Sequence, residues 1–157
     1  MFSRANAFTG VGVGEGGIEK WDTSSATSMH GMFYQAYEFN APIQHWNVEA
    51  VTDLALIFNG ATKFDQPIGQ WNIINIVKSG SLEGVLDSTN NALSPCNKRL
   101  IADAWTNNVV FKATNTVGAD GTTMQPYTTV WAVGNEACPR LTDTTFKQAT
   151  WDWMHQV

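Results

Sequence analysis

The stretch FNAPIQHWN, residues 39–47, returns as FDQPIGQWN at residues 64–72, and this near-copy decides the fold. Trp21, Trp46 and Trp71 keep the same 25-residue step, and the opening MFSRANAF matches MFYQAYEF from Met32 onward. Self-similarity at a fixed period in this range is the signature of stacked repeat units, each burying its apolar face against its neighbours. We therefore expect Trp to stack on Trp, and Phe on Phe, from unit to unit.

Within one unit, the apolar spacing predicts a short strand followed by a short helix. Ile43, Trp46 and Val48 follow the L-x-x-L-x-L spacing of a leucine-rich repeat, whose last part alternates as a strand does. Apolar residues from 51 to 61 recur at helical steps, and Thr52 stands where an N-cap would. The expected fold class is an α/β repeat solenoid: a short leucine-rich-repeat-like array of strand, short helix and return loop, with a C-terminal helical cap.

Two regions are expected, a leucine-rich-repeat-like solenoid over residues 1–90 and a C-terminal disulfide-stapled helical cap over residues 91–157. The first unit carries a Gly-rich insertion between Phe8 and Ile18. The segment VKSGSLEGVL, which follows the last complete unit, aligns with the repeats only after a slip of about three residues, so we expect the array to end there.

The C-terminal region contains signals for two helices. Ser94 suits an N-cap and Pro95 the first helical position, and Trp105 lies on the apolar stripe that follows. Thr142 suits a second N-cap, ahead of an apolar face that contains Trp153. Helical spacing predicts that Trp105 and Trp153 are buried.

The cysteines Cys96 and Cys138 both lie outside the repeats and have no metal-type spacing. A disulfide between them would close a loop of about 42 residues and stabilise the fold by roughly 3–4 kcal/mol on the loop-entropy model. It would indicate an oxidising compartment, either the extracellular space and cell surface or an organelle lumen. The alternative is a pair of buried thiols in a cytosolic protein.

The segment from Trp21 to Asn72 resembles the BspA-like bacterial surface-protein repeat, which reads W-[DN]-x-x-x-V-T-x-M-x-x-M-F-x-x-A-x-x-F-N-x-P-I. That repeat is a leucine-rich-repeat relative of bacterial surface and secreted proteins and of algal and protist proteins. The resemblance extends over about residues 1–86 and implies adhesion or protein–protein interaction, with no catalytic residues. Leu54 and Ile57 replace Met positions of the pattern, a change that apolar packing tolerates.

Charge and composition argue against several functions. The net charge is −5 without a cluster of Lys or Arg, so neither nucleic acid nor an anionic lipid surface is an expected partner. No apolar run is long enough to span a membrane. The stretch GVGEGG at residues 12–17 fits G-x-G-x-x-G, but a return loop precedes it, so we expect a flexible insertion and no nucleotide site.

No arrangement for catalysis or metal binding stands out, so we expect neither an enzyme nor a cofactor. The three histidines, His30, His45 and His155, lack metal-ligand spacing.

The strongest functional candidate is geometric. Residues beside the inward-facing strand positions would point outward on the concave strand face and form a partner-binding surface. The residues in question are Lys20, Asp22, His45, Asn47, Glu49, Gln70 and Asn72. The alternative is structural: the polar row Asp22, Asn47 and Asn72 would only hydrogen-bond along the sheet.

The N-terminal end has no recognisable polar cap, because Met1 and Phe2 already fall at the helix position of a unit. We expect that the sequence is incomplete at this end or that a protein partner covers Met1 and Phe2.

Three functions are compatible with the sequence. The first is a non-enzymatic protein–protein interaction or scaffold module that binds through the concave strand face or the open N-terminal end. The second is a structural accessory subunit of a larger assembly. The third is a carbohydrate-binding module, which requires exposed Trp outside the repeats, at Trp105, Trp131, Trp151 or Trp153.

Overall fold

The computed structural model describes residues 2–12, 16–87, 93–117 and 124–126. The chain winds through three successive coils, residues 2–26, 27–51 and 52–76, and residues 77–87 begin a fourth. Residues one repeat apart are neighbours in adjacent coils: the Thr52 hydroxyl donates to the Thr27 carbonyl, and the Thr62 hydroxyl to the Tyr37 carbonyl. The 25-residue period of the sequence is therefore the step from one coil to the next.

Aromatic rings form two ladders through the stack. Trp46 lies between Trp21 and Trp71, with ring centroids 6.3 and 6.5 Å apart and nearly parallel planes. Each coil also holds a stacked Phe pair, and the pairs follow one another at about 6 Å: Phe2 with Phe8, Phe33 with Phe39, and Phe58 with Phe64. The four Phe side chains of the second and third coils are completely buried. These ladders are the stacking that the repeated aromatic positions predict.

Backbone donors in each coil alternate between two kinds of acceptor. Met29, Gly31 and Phe33 donate to carbonyls of the next coil. Met32 and Tyr34, on either side of Phe33, donate three residues back within their own turn. The next coil repeats the alternation at Leu54, Leu56, Phe58, Ile57 and Asn59.

Left-handed residues recur within this alternating segment. Gln35 and Leu56 have φ of 55° and 58°, and Gly31 and Gly60 have φ of 55° and 80°. An α-helix needs consecutive right-handed residues, and L-residues in the left-handed region cost about 1–2 kcal/mol each. Left-handed residues spaced this closely therefore exclude an α-helix over residues 51–61.

The predicted α/β repeat solenoid of strand, short helix and return loop is wrong. The described coils, residues 2–12 and 16–87, contain neither an α-helix nor a strand: they consist of turns, the 3-10 turns Ile18–Lys20 and Ile68–Gln70, and one isolated parallel bridge between Ser28 and Asp53. The segment predicted as a strand instead closes on itself, because Trp46 N–H donates to the Ile43 carbonyl. A leucine-rich-repeat solenoid is therefore not supported.

In the described part of the chain, two helices and a pair of strands follow the coils. Helix α1 is Pro95–Trp105, capped at its N-terminus by the Ser94 hydroxyl, which accepts from Asn97 N–H, as the sequence predicted. Helix α2 is Val109–Ala113, and strands β1 (Asn115–Val117) and β2 (Met124–Pro126) pair antiparallel. The predicted helix from Thr142, which includes Trp153, lies outside the described residues.

Helix α1 packs directly on the third coil. Asp65 Oδ1 accepts from Ser94 N–H and from the Asn97 side chain, as Asn40 Oδ1 accepts from the next coil. Gly69, where the second coil has Gln44, approaches the Leu100 carbonyl so closely that a Cβ would lie 2.8 Å from its oxygen. The start of α1 therefore stands where one more coil would otherwise begin.

Asn108 completes this contact from the start of α2. Its side-chain nitrogen donates to the carbonyls of Ile73 and Ile76 at 2.9 and 3.0 Å. Its side-chain oxygen accepts from Val110 N–H and Phe111 N–H. Trp105 and Phe111, both buried, pack edge to face beneath it. The Asn108 side chain thus caps α2 and also donates to two backbone carbonyls at the end of the third coil.

Candidate functional site

The polar residues predicted to contact a partner all lie on the surface. All seven are exposed: Lys20, Asp22, His45, Asn47, Glu49, Gln70 and Asn72. No strand of the described coils lies beneath them, so the predicted concave strand face is wrong. The residues instead flank each Trp on both sides in the sequence.

Three members of this row have a local structural role. The side-chain oxygens of Asp22, Asn47 and Asn72 each accept from the backbone N–H two residues ahead, at 3.0, 3.0 and 3.2 Å. Such Asx turns fix the backbone where the chain reverses direction. Hydrogen bonds along a sheet, the structural alternative, do not form. The side chains satisfy their own turns, and this geometry reduces the capacity of their oxygens to accept from a partner.

Asp22 differs from its two counterparts because it is a carboxylate. The Ser24 hydroxyl donates to Asp22 Oδ1 at 2.6 Å, and the Ser24 N–H donates to the same oxygen. These hydrogen bonds, the hydroxyl bond foremost, lower the pKa of Asp22 below its ordinary value. The first coil therefore presents a fixed negative charge where the inner coils present a neutral amide.

The first coil exposes an aromatic surface, here named the N-terminal face and formed by Phe2, Phe8 and Trp21. One side of each ring lies toward the second coil, Phe2 on Phe33 and Trp21 on Trp46, in near-parallel stacks. Phe2 and Phe8 also stack on each other, with ring centroids 4.1 Å apart. Trp21 is 41% exposed, whereas Trp46 and Trp71 are 4% and 3% exposed.

Hydrogen-bond donors on the same face lack partners among the described residues. Trp46 Nε1 donates to the Ile18 carbonyl at 2.9 Å and Trp71 Nε1 to the Ile43 carbonyl at 3.1 Å, but Trp21 Nε1 has no such acceptor. The backbone amides of Ala7, Thr9 and Thr27 are equally without acceptors in the described chain. The N-terminal face is thus both aromatic and rich in unpaired N–H groups.

A second exposed apolar area lies between the last coil and α2. Ile74, Val77 and Val109 are about two-thirds exposed. Val77 and Val109 line two adjoining grooves of about 510 and 470 Å³, one beside Glu83 and Asp87, the other over Trp71 and Trp105.

The described residues include close pairs of ionisable groups. His30 Nδ1 lies 3.4 Å from Asp53 Oδ2, and both side chains are substantially exposed. Burial lowers the pKa of Lys98, and the nearby Asp65 carboxylate opposes that shift. In the part of the chain that the structure describes, no three His, Cys, Asp or Glu side chains are grouped so as to hold a metal ion. Likewise, no helix of that part is long and apolar enough to cross a membrane.

Cys96 is disulfide-bonded. Its predicted partner Cys138 lies outside the described residues, so their pairing stays a prediction. Of the Trp residues that a carbohydrate platform would require, Trp105 is buried, as helical spacing predicted, and Trp131, Trp151 and Trp153 lie outside the described residues.

Sequence reasoning missed the exposure of Trp21, because a Trp that recurs at every repeat is typical of a core position. The position of Trp21 in the series contained the missing information: it is the first of the three repeated Trp residues and has a repeat Trp to stack on at one side only. The partial exposure of Phe2 and Phe8 follows from the same argument.

Comparison with known proteins gives a single assignment. No curated protein and no solved structure matches the chain. A family model described as "Mycoplasma protein of unknown function, DUF285" matches residues 1–117, which contain all three coils and both helices. The chain therefore belongs to the DUF285 family.

Proposed function

We propose that the protein is a non-enzymatic interaction module that binds a partner polypeptide through its N-terminal face. One observation carries the proposal: the aromatic ladder of the stack ends in an exposed Trp21, whereas its two counterparts are almost completely buried. Exposed aromatic surface with unpaired donors is typical of protein interaction sites, because Trp combines a large apolar area with a polar N–H group. Half-buried Phe2 and Phe8 extend the same surface.

The polar row supports this choice of surface by its own geometry. Asp22, Asn47 and Asn72 already use a side-chain oxygen in their Asx turns. A partner on that row would meet side chains whose main acceptor is engaged, whereas a partner on the N-terminal face would satisfy groups that have no other acceptor. The N-terminal face is therefore the stronger of the two candidate surfaces.

The resemblance to the BspA-like surface repeat supports interaction as the function, since that resemblance implies adhesion or protein binding. The disulfide of Cys96 supports an oxidising compartment, the cell surface or an organelle lumen, where such bonds persist. If the N-terminal face is always covered, the protein is instead a permanently associated accessory subunit of a larger assembly.

The experiment compares two photo-crosslinking positions of matched type and exposure. Val11, in the first coil, is 66% exposed, and Val109, at the start of α2, is 67% exposed. A photo-reactive residue at each position is introduced into the full chain, which is then incubated in an extract of its source. We expect one defined partner to crosslink from Val11 and not from Val109, with the yield lost in Trp21→Ala.

Equal crosslinking from both positions, or a Val11 yield that Trp21→Ala leaves unchanged, would overturn the assignment of this face. The native mass of the crosslinked species separates the two forms of the function. A small complex that dissociates on dilution indicates a binding module, whereas a large complex that survives dilution indicates an accessory subunit.

A further inference from the structure

The fourth coil repeats a backbone donor of the coils before it. In the third coil, the Ala55 carbonyl accepts from Gly31 N–H, and Leu56, the next residue, donates to the Glu83 carbonyl of the fourth coil. Gly84 follows Glu83 and so stands at the same donor position. Its φ of 59° matches the 58° of Leu56. Gly84 N–H nevertheless has no acceptor in the described chain.

Gly84 lies beside α2, at the first of the two adjoining grooves. This groove, here named the acidic groove, has a volume of about 510 Å³ and is lined among others by Val77, Glu83, Gly84, Asp87 and Val109. Leu56 N–H points along the stack toward the coil that follows. By the same geometry Gly84 N–H points away from the third coil. A carbonyl oxygen placed at that end of the acidic groove would therefore meet an unpaired donor.

The second groove, here named the Trp groove, also contains a donor without an acceptor. It has a volume of about 470 Å³, is lined by Trp71 and Trp105, and shares Val77 and Val109 with the acidic groove. Trp105 is buried, and its Nε1 has no hydrogen-bond partner in the described chain. Trp71 Nε1, in contrast, donates to a backbone carbonyl. Each groove thus has one unpaired N–H group among the residues that line it.

The acidic groove is negatively charged. Glu83 and Asp87 both line it, and no described residue that lines it is a Lys, Arg or His. Lys78 lies with Glu83 on a separate polar depression instead. The two shared residues, Val77 and Val109, are 71% and 67% exposed and add apolar surface. The net charge of −5 further favours the approach of a basic partner.

We infer that the two grooves together bind a short extended peptide segment of a protein partner, apolar in its middle and with a Lys or Arg at the end that occupies the acidic groove. Carbonyls of this segment accept from Gly84 N–H and Trp105 Nε1, and its apolar side chains cover the two shared valines. Extended peptides commonly bind in this way, with backbone hydrogen bonds for affinity and side-chain pockets for specificity. The site is separate from the N-terminal face and does not depend on the proposed function.

The test selects peptides from a random library displayed on phage, with the full 157-residue chain immobilised as the target. Phage that bind the empty surface are removed first. We expect enriched peptides in which a Lys or Arg stands beside two or more apolar residues. No enrichment above the empty surface, or enriched peptides without a basic residue, would overturn the inference.

Protein variants then locate the binding of a synthetic, fluorophore-labelled copy of an enriched peptide. Val77→Ser combined with Val109→Ser is expected to weaken binding about tenfold, because two apolar contacts are lost. Glu83→Gln is expected to weaken it about two- to fivefold, as exposed ion pairs contribute little. Val11→Ser, at a 66% exposed position, and Glu38→Gln, at an exposed acid of the second coil, are the matched controls and should change nothing. Fluorescence anisotropy measures all four. If no enriched peptide is weakened by the groove variants, the inference fails.

NMR spectra of the isotope-labelled chain supply a readout that needs no substitution. The amide signal of Gly84 and the indole signal of Trp105 are expected to shift downfield on peptide binding, because each N–H gains an acceptor. The indole signal of Trp46, which already donates to the Ile18 carbonyl, is expected to stay in place. A bound peptide that leaves both the Gly84 and the Trp105 signals unchanged would contradict the inference.

The groove inference and the proposed function fail separately. A peptide that shifts the Trp21 indole signal instead binds the N-terminal face, which overturns the groove inference and leaves the proposed function in place. Sedimentation of the chain alone tests a second copy as the occupant: a dimer that the double valine variant abolishes would also overturn the inference. In the crosslinking experiment, a groove partner appears as a different species, captured from Val109 alone and independent of Trp21.

Discussion

The two ends of the coil stack differ in whether their outermost polar groups and rings have partners. At the C-terminal end, Ser94, Asn97 and Asn108 satisfy polar groups of the third coil, and Gly69 allows α1 to approach it. At the N-terminal end, Trp21 and the amides of Ala7 and Thr9 have no such partners in the described chain. A repeat stack exposes polar backbone and apolar rings at an end that neither a further coil nor a cap covers, and this contrast between the ends is the basis of the proposed binding site.

The largest difference between the ends is expected in the Trp ladder. Trp46→Ala removes a buried ring stacked on both sides and an indole hydrogen bond, and should lower the free energy of unfolding by about 3–5 kcal/mol. Trp21→Ala removes a ring stacked on one side only, and should cost about 1 kcal/mol or less. Urea denaturation of both variants measures the difference. Equal losses would mean that the first coil is packed as an interior coil.

Asn108 tests the cover at the C-terminal end. Asn108→Ala removes the cap of α2 and the donor to the Ile76 carbonyl, while the Ile73 carbonyl keeps its bond from Ile76 N–H, so we expect a loss of about 2–3 kcal/mol in urea denaturation. Asn108→Asp keeps the capping oxygen but places a carboxylate against both carbonyls. It should be nearly as destabilising, whereas the exposed neighbour variant Asn107→Ala should change little. An Asp variant as stable as the unmodified chain would show that the bonds to the stack contribute nothing.

Gly69 tests how closely the cover fits. An added Cβ in Gly69→Ala would meet the Leu100 carbonyl at 2.8 Å, and relieving that contact should cost about 1–2 kcal/mol. Gly16→Ala is the matched control in the first coil, because a Cβ there meets no atom within 4 Å. Differential scanning calorimetry of the pair should show a lower Tm for the first variant only. A similar Tm for both variants would indicate that α1 moves away from the added Cβ without a loss of stability.

The smallest effect concerns acid stability of the first coil. Because Ser24 lowers the pKa of Asp22, the unfolded chain takes up this proton more readily than the folded one. The stability from Asp22 is therefore complete above the ordinary Asp pKa of 3.8 and is lost as pH falls through the lower folded value. Asp22→Asn should lose less stability than the unmodified chain between pH 5 and acid conditions of about pH 2.5.

Asn47→Asp should introduce a smaller acid-sensitive component into the second coil, because Asn47 accepts from Glu49 N–H in the same kind of Asx turn but residue 49 has no hydroxyl to donate. Urea denaturation across this pH range measures both variants. Identical pH profiles for Asp22→Asn and the unmodified chain would show that the Ser24 hydrogen bonds do not distinguish the protonation states.

The sequence predicted the period, the aromatic stacking and the start of α1. Repeated aromatic residues and a Ser-Pro pair at a helix start can be recognised directly in the order of residues. It did not predict the conformation of the coils. Apolar residues at Val51, Leu54 and Phe58 have helical spacing, but a coil of tight turns buries residues at the same spacing. Residue type does not predict the left-handed φ of Gln35 and Leu56. The glycines one repeat away, Gly60 and Gly31, were the only indication of it.

The candidate site was predicted in part. The exposure of the polar row followed correctly from its alternation with Trp46 and Val48, whereas the open N-terminal end stays a prediction. The Asx turns were missed, because an Asn that binds its own backbone and an Asn that awaits a partner are identical in sequence. Trp21 was assigned to the core, since only its place in the stack, and not its residue type, exposes it.

The slip in the last coil has a consequence for how such chains vary in length. Met29 N–H reaches Asp53, whereas Leu54 N–H reaches Ser81, so the extra residues are absorbed in the exposed turn from Val77 to Gly80 without disturbing the pairing that follows. Each added residue in such a turn costs little loop-closure entropy. This turn is therefore a suitable insertion point for an epitope tag or a spectroscopic label. An insertion there should leave the hydrogen-bond pairing between the coils unchanged.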